Sequence, residues 1–165
     1  MDRQIAKLLT LAAEYDKGDP MRIQHFIKVH DFATAIGVLE GLDDETMRVL
    51  EAAAILHDIG IHVSEEKYGS SAGNYQEIEG PPIAEEILRT LGGYSDEEIE
   101  RIKYLIGHHH TYTDIDGMDY QILVEADFLV NIYEDDLPAQ AIKNARERIF
   151  KTDTGIKLLE DMFKK

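Results

Sequence analysis

Apolar residues recur at three- and four-residue spacing through nearly the whole chain, broken by glycine and proline, and no stretch alternates as a half-buried strand does. A helix of this kind buries one stripe and needs another helix to cover it, so the chain has to fold as packed helices. The fold class predicted is all-α, a single-domain helical bundle of about seven to eight helices. At 165 residues the length suits one domain with a substantial core. No repeat, low-complexity segment or linker divides it, so residues 1–165 are read as one unit. Its motif-bearing core spans about 20–135, and the C-terminal helices pack on that core.

The helix boundaries are marked by capping signals. A first helix carries Ile5, Leu8, Leu9 and Ala12, and a second opens where Asp19 caps and Pro20 takes the first turn, ending near Gly41. A third starts at Asp43 or Asp44 and runs to His57, with Gly60 closing it. The segment from His62 to Glu79 lacks period and is predicted as a long loop. A fourth helix is expected after Pro81-Pro82, stopping at Gly92-Gly93. Ser95 and Glu98 form a capping box for the fifth, Gly117 precedes the sixth, Pro138 opens a seventh, and a last short helix carries Ile156, Leu159 and Phe163.

Composition excludes several chemistries. The absence of cysteine removes disulfides, thiolate metal sites and cysteine nucleophiles. A formal charge of -16 repels nucleic acid backbones, whose binding rests on phosphate neutralisation, so nucleic acid is not an expected partner. With no secretory leader pattern and no membrane-length apolar run, a cytoplasmic protein without a membrane partner is expected. There is no P-loop, no G-x-G-x-x-G fingerprint and no H-E-x-x-H, and no Glu stands three residues before any His as a di-iron bundle requires.

What remains is a set of polar residues on apolar stripes. His57-Asp58-Ile59-Gly60 follows the apolar run Ala52 to Leu56, and His57 continues the line from Leu50 and Ala54. His25 shares a face with Val29, Phe32 and Ile36, and Asp127 lies between Leu123 and Val130. A buried carboxylate is costly unless it is paired or metal-bound, and imidazole and carboxylate are both good ligands for first-row divalent metals. In Ile106-Gly107-His108-His109-His110 the three histidines are about 100° apart on a helix, so at most two reach one site. The stripe of Ile99, Ile102 and Ile106 selects His109. His30 and His62 read as structural or surface residues, and Tyr68, Tyr75, Tyr104 and Tyr112 as packing residues. The acidic runs, Glu134-Asp135-Asp136 among them, read as solvated helix starts.

The ordered set of Arg22-Ile23-Gln24-His25, His57-Asp58-Ile59-Gly60 and Glu125-Ala126-Asp127 resembles the HD-domain metal-dependent phosphohydrolases, with likeness from about His25 to Asn131. The resemblance implies a primary metal held by His25, His57, Asp58 and Asp127, with Asp58 able to bridge to a second ion. It implies one or two divalent ions (Fe, Mn, Co, Ni, Zn or Mg) and hydrolysis of a phosphomonoester or phosphodiester by metal-activated water, on a small soluble substrate such as a nucleotide. Asp58, His109 and Arg22 are the candidate catalytic residues, Arg22 either pairing with the site's carboxylates or gripping substrate phosphate. Glu79, His109 and His110 are the candidate second metal site, where Glu79 replaces a histidine of the dinuclear members. Ile61 takes the position of a lysine in the cyclic-dinucleotide branch, and the G-Y-P signature of that branch is missing, which disfavours such substrates. The alternative is an HD-fold metal- or nucleotide-binding signalling module without turnover. A homodimer is expected to be compatible with a small helical domain of this kind.

Overall fold

A computed structural model describes residues 1–164. Among these residues there are nine α-helices and no strand. They are α1 (Arg3–Tyr15), α2 (Pro20–Leu39), α3 (Asp44–Leu56), α4 (Ile61–Tyr68), α5 (Gly73–Leu91), α6 (Asp96–Ile106), α7 (Met118–Glu134), α8 (Ala139–Arg148) and α9 (Asp153–Phe163). No described helix is long and apolar enough to cross a membrane.

The caps expected at Asp19, Asp43 and Ser95 form, and Asp2 and Thr152 add two that were not expected. Asp2, Asp19, Asp43, Ser95 and Thr152 each accept a backbone N–H in the first turn of the helix that follows, and Ser95 and Glu98 complete the reciprocal capping box. α3 is the central element and packs against α1, α2, α6 and α7. From Ala52 to Leu56 every residue of it is buried, because small alanines let helices approach on all sides. α7 is buried almost as fully, and α2 lies across both. A fully buried leucine or isoleucine contributes about 1.5–3 kcal/mol, so Leu50, Ile55, Leu56, Leu123 and Leu129 hold this centre together. α8 is the opposite case, with Ala145 its sole buried residue.

Two expectations need correction. The segment from His62 to Glu79 is not a long loop: it holds α4 and the first turns of α5, separated by a short turn at Gly69–Ala72. α4 buries only Ile61 and Ser64, too few positions to print a period. Nor does a helix begin after Pro81-Pro82, since both prolines lie inside α5. They remove N–H groups that would bond four residues back, a cost that usually ends a helix. Here packing outweighs it, with Gly80 of α5 seated against Gly60 and against Ile106 of α6.

Candidate metal centre

α3 ends at Leu56, and the next four residues form a tight turn into α4. Ile59 N–H bonds to Leu56 O, and Ile61 N–H to Asp58 O. The turn sends Ile59 and Ile61 into the core and leaves His57 and Asp58 facing α2 and α7. α5 can press against this turn because Gly60 has no side chain: a Cβ there would stand 2.7 Å from Gly80 N.

Four side chains converge at this point. His25 Nε2 lies 3.1 Å from His57 Nε2, 3.2 Å from Asp58 Oδ2 and 3.3 Å from Asp127 Oδ1. His57 Nε2 is 3.5 Å from Asp58 Oδ2 and 3.4 Å from Asp127 Oδ1. His25 and His57 are almost wholly buried, as is Asp127. His109, at the turn after α6, is also fully buried, with Nε2 3.4 Å from Asp58 Oδ1. The ring planes of His57 and His109 meet edge to face, their centroids 5.3 Å apart.

The outer ring nitrogens show which protons are held. His57 Nδ1 donates to Ala54 O at 2.7 Å and His109 Nδ1 to Ile106 O at 2.6 Å, while His25 Nδ1 faces the Glu134 carboxylate at 3.1 Å. The three Nε2 atoms therefore turn lone pairs inward, and that of His109 is buried without a hydrogen-bond partner. Two imidazole lone pairs at 3.1 Å repel unless something positive lies between them. Donors bonded at about 2.0–2.2 Å to a tetrahedral or octahedral ion stand roughly 3.0–3.5 Å from their neighbours, the spacing seen here between the two imidazoles and from each carboxylate to both of them. The donor set of two imidazoles and two carboxylates thus fits a divalent first-row metal.

With protons in place of an ion, the charges shift strongly. Burial opposes a charged His25, but hydrogen bonds to Asp127 and Asp58 prevail and push it up to about 10. Burial likewise opposes ionisation of Asp58 and Asp127, yet the surrounding imidazoles hold both well below the usual carboxylate range. His109 is raised against the effect of burial by the neighbouring Asp58 carboxylate. A site that keeps two buried carboxylates ionised is built to receive positive charge.

The other candidate residues divide clearly. Arg22 Nη1 reaches Asp58 Oδ2 at 3.5 Å and opens onto a cavity of about 210 Å³ bounded by Met21, Asp58, Gln76, His110 and Asn131. His110 lies against His109 with ring centroids 4.0 Å apart and planes tilted by 45°, and with Asp58 and His109 it forms a second cluster whose ligand atoms lie within 4.8 Å of one another. Its Nε2 is 3.2 Å from Gln76 Oε1, and burial followed by repulsion from His109 lowers it to about 4. Glu79 is not in that cluster. It accepts from Lys67 Nζ at 3.0 Å and Tyr68 hydroxyl at 2.8 Å, because it lies in mid-helix with its carboxylate turned toward α4. His108 bonds to Tyr104 O and stacks on the Tyr104 ring.

Sequence reading missed the supporting residues. Asn131 donates to Asp127 Oδ1 at 2.9 Å, and Glu134, read as part of a solvated acidic run, faces His25. Glu77 accepts from His110 N–H and the Thr111 hydroxyl and so pins the histidine turn. The spacing Asp127, Asn131, Glu134 places all three on one stripe of α7, a signal that was present in the sequence.

A family model described as HD domain matches residues 22–151, a span that contains all four converging side chains. The chain belongs to the HD domain family. Its fold is similar to the crystal structure of a predicted HD superfamily hydrolase from an uncultured Thermotogales bacterium, at 28% sequence identity and a TM-score of 0.66. The likeness covers 94% of this chain and 83% of that one. Among functionally curated proteins none matches the chain.

Proposed function

We propose that this HD domain protein is a metal-dependent phosphohydrolase that cleaves an ester of a small soluble phosphate, a nucleotide being the leading substrate class. The observation that carries the proposal is the meeting of His25, His57, Asp58 and Asp127 beside a cavity that also receives Arg22. A divalent ion held by these four supplies Lewis acidity toward phosphoryl oxygen and toward water. The relation to a hydrolase-fold structure supports the same reading.

The chain's own residues account for the other requirements. Arg22 offers a planar, permanently charged donor at the cavity wall, where it can trade part of its contact with Asp58 for a phosphate oxygen. Hydrolysis adds water across the P–O ester bond, so one proton leaves the attacking water and one joins the departing oxygen. His109 Nδ1 is held by Ile106 O, so its inward Nε2, buried without a hydrogen-bond partner and 3.4 Å from Asp58 Oδ1, is the nitrogen free to take up a proton and pass it to the departing oxygen. His57 and Asp127 keep their donor atoms fixed from α3 and α7, which limits the geometry a substrate meets.

The test is phosphate release from nucleoside monophosphates and p-nitrophenyl phosphate, and ring opening of a cyclic nucleotide to its monophosphate, with Mn, Co, Ni, Fe, Zn and Mg supplied in turn. Turnover that requires metal and disappears in His57→Ala supports the proposal. Tight metal binding with no hydrolysis across the panel overturns it in favour of a binding module.

A further inference from the structure

We infer that Glu134 is a positioning residue that fixes the ring of His25 and raises the donor strength of its inward nitrogen. The inference rests on the reading above that His25 is a metal ligand. Two of the three inward-facing imidazoles sit just past the end of their helices, where a carbonyl three residues back is free to take Nδ1–H: Ala54 O for His57 and Ile106 O for His109. His25 lies inside α2, where the carbonyls are engaged in the helix ladder, so its anchor has to come from elsewhere. Glu134, the last residue of α7, supplies it, with Oε2 at 3.1 Å and Oε1 at 3.3 Å from His25 Nδ1.

The placement is not accidental packing of a surface acid. His25 is 2% exposed and the Glu134 side chain 19%. Lys28, one turn beyond His25 on α2, holds Glu134 Oε1 at 2.7 Å, so the carboxylate is gripped from both sides. Along α7 the same stripe carries Asp127, then Asn131, which holds Asp127 Oδ1, then Glu134. One helix face thus contributes a ligand, the clamp on that ligand and the clamp on the ligand facing it. A carboxylate on the outer nitrogen fixes the tautomer and makes the opposite lone pair more basic, whereas a main-chain carbonyl does so less.

The experiment is titration of the metal-free protein with Co(II), read by calorimetry and by the visible absorption of the bound ion, for the parent, His25→Ala, Glu134→Ala and Glu134→Gln. Glu134→Ala is expected to weaken binding about tenfold or more and to shift the absorption bands, with Glu134→Gln, which retains an acceptor oxygen without charge, between it and the parent. Should Glu134→Ala fail to fold, Glu134→Gln carries the comparison. Affinities and spectra of both variants indistinguishable from the parent, while His25→Ala loses the ion, overturn the inference and leave the site standing. A parent that binds no Co(II), or a His25→Ala variant that binds as the parent does, overturns the reading of the site and the inference with it.

Discussion

Gly60 and Gly80 meet backbone to backbone: a Cβ on Gly60 would lie 2.7 Å from Gly80 N and 3.0 Å from its Cα. This contact lets α5 press against the turn that presents His57 and Asp58. Gly60 has ordinary right-handed dihedrals, with φ at -82°, so glycine is needed there for space and not for conformation.

Gly60→Ala is therefore expected to destabilise the fold by about 1–3 kcal/mol, the usual cost of forcing an added carbon into a filled interior. Urea denaturation reads this directly. Metal affinity should fall in the same variant, because the displaced element is the one that carries two of the proposed ligands, His57 and Asp58. A Gly60→Ala protein with parent stability would show that α5 yields freely.

His57→Ala removes a donor and leaves two ionised carboxylates facing a gap. Loss of stoichiometric metal, measured by elemental analysis after dialysis, is the expected outcome, together with loss of metal-dependent hydrolysis. An Asp127→Asn variant should also lose metal, since an amide oxygen is a far poorer ligand than a carboxylate.

Arg22→Ala is expected to leave metal content intact and to lower kcat/KM by about 10- to 100-fold, the weight of a charge-assisted hydrogen bond to phosphate. Arg22→Lys should recover only part, because a point charge does not reproduce the planar fork. Steady-state kinetics on the best substrate, set beside metal content, separates this from a purely structural role.

Glu79→Gln should change neither the number of ions bound nor the hydrolytic rate by more than about twofold, since Glu79 spends its oxygens on an exposed Lys67 pair and a Tyr68 hydroxyl, contacts of small energetic weight. A drop in metal stoichiometry would restore Glu79 as a ligand.

Asp16, buried at the end of α1, is raised to about 6, first by desolvation, with His62 and Arg22 working against it and Asp19 and Asp58 with it. A folded-state value above the unfolded one means that its ionisation opposes folding. Its contribution is complete below about pH 4 and is lost as the pH rises through about 6. Asp16→Asn should therefore match the parent near pH 4 and exceed it by about 1–2 kcal/mol above pH 7. Thermal unfolding at the two pH values decides the matter.

Much of the centre was legible because burying a polar side chain is costly, so His25, His57 and Asp127 on apolar stripes had to be there for a reason. Their convergence follows from helices α2, α3 and α7 packing on one another; the apolar periodicity required packed helices, and the family resemblance indicated which ones meet. The second tier was harder to read. Glu134 sits in an acidic run like several others in the chain, and nothing local separates it from Asp135 and Asp136 until α2 is laid beside α7. α4 and the early turns of α5 were hidden for a related reason. Apart from Ile61, their buried positions are Ser64, Gln76 and Gly80, polar or side-chain-free residues that print no hydrophobic period. The two prolines then pointed to a boundary that tertiary contact overrode.

The uneven burial of the helices also ranks them by how readily they open. α8 ties itself to the rest through Ala145, while the neighbouring anchors Phe150 and Leu159 belong to the segment and helix that follow. Its amide hydrogens should exchange first, by a local opening that leaves the α2, α3 and α7 core closed, and those of Leu56 and Asp127 only when the whole molecule unfolds. On that expectation the core that carries the proposed metal site and the C-terminal edge open as separate cooperative units.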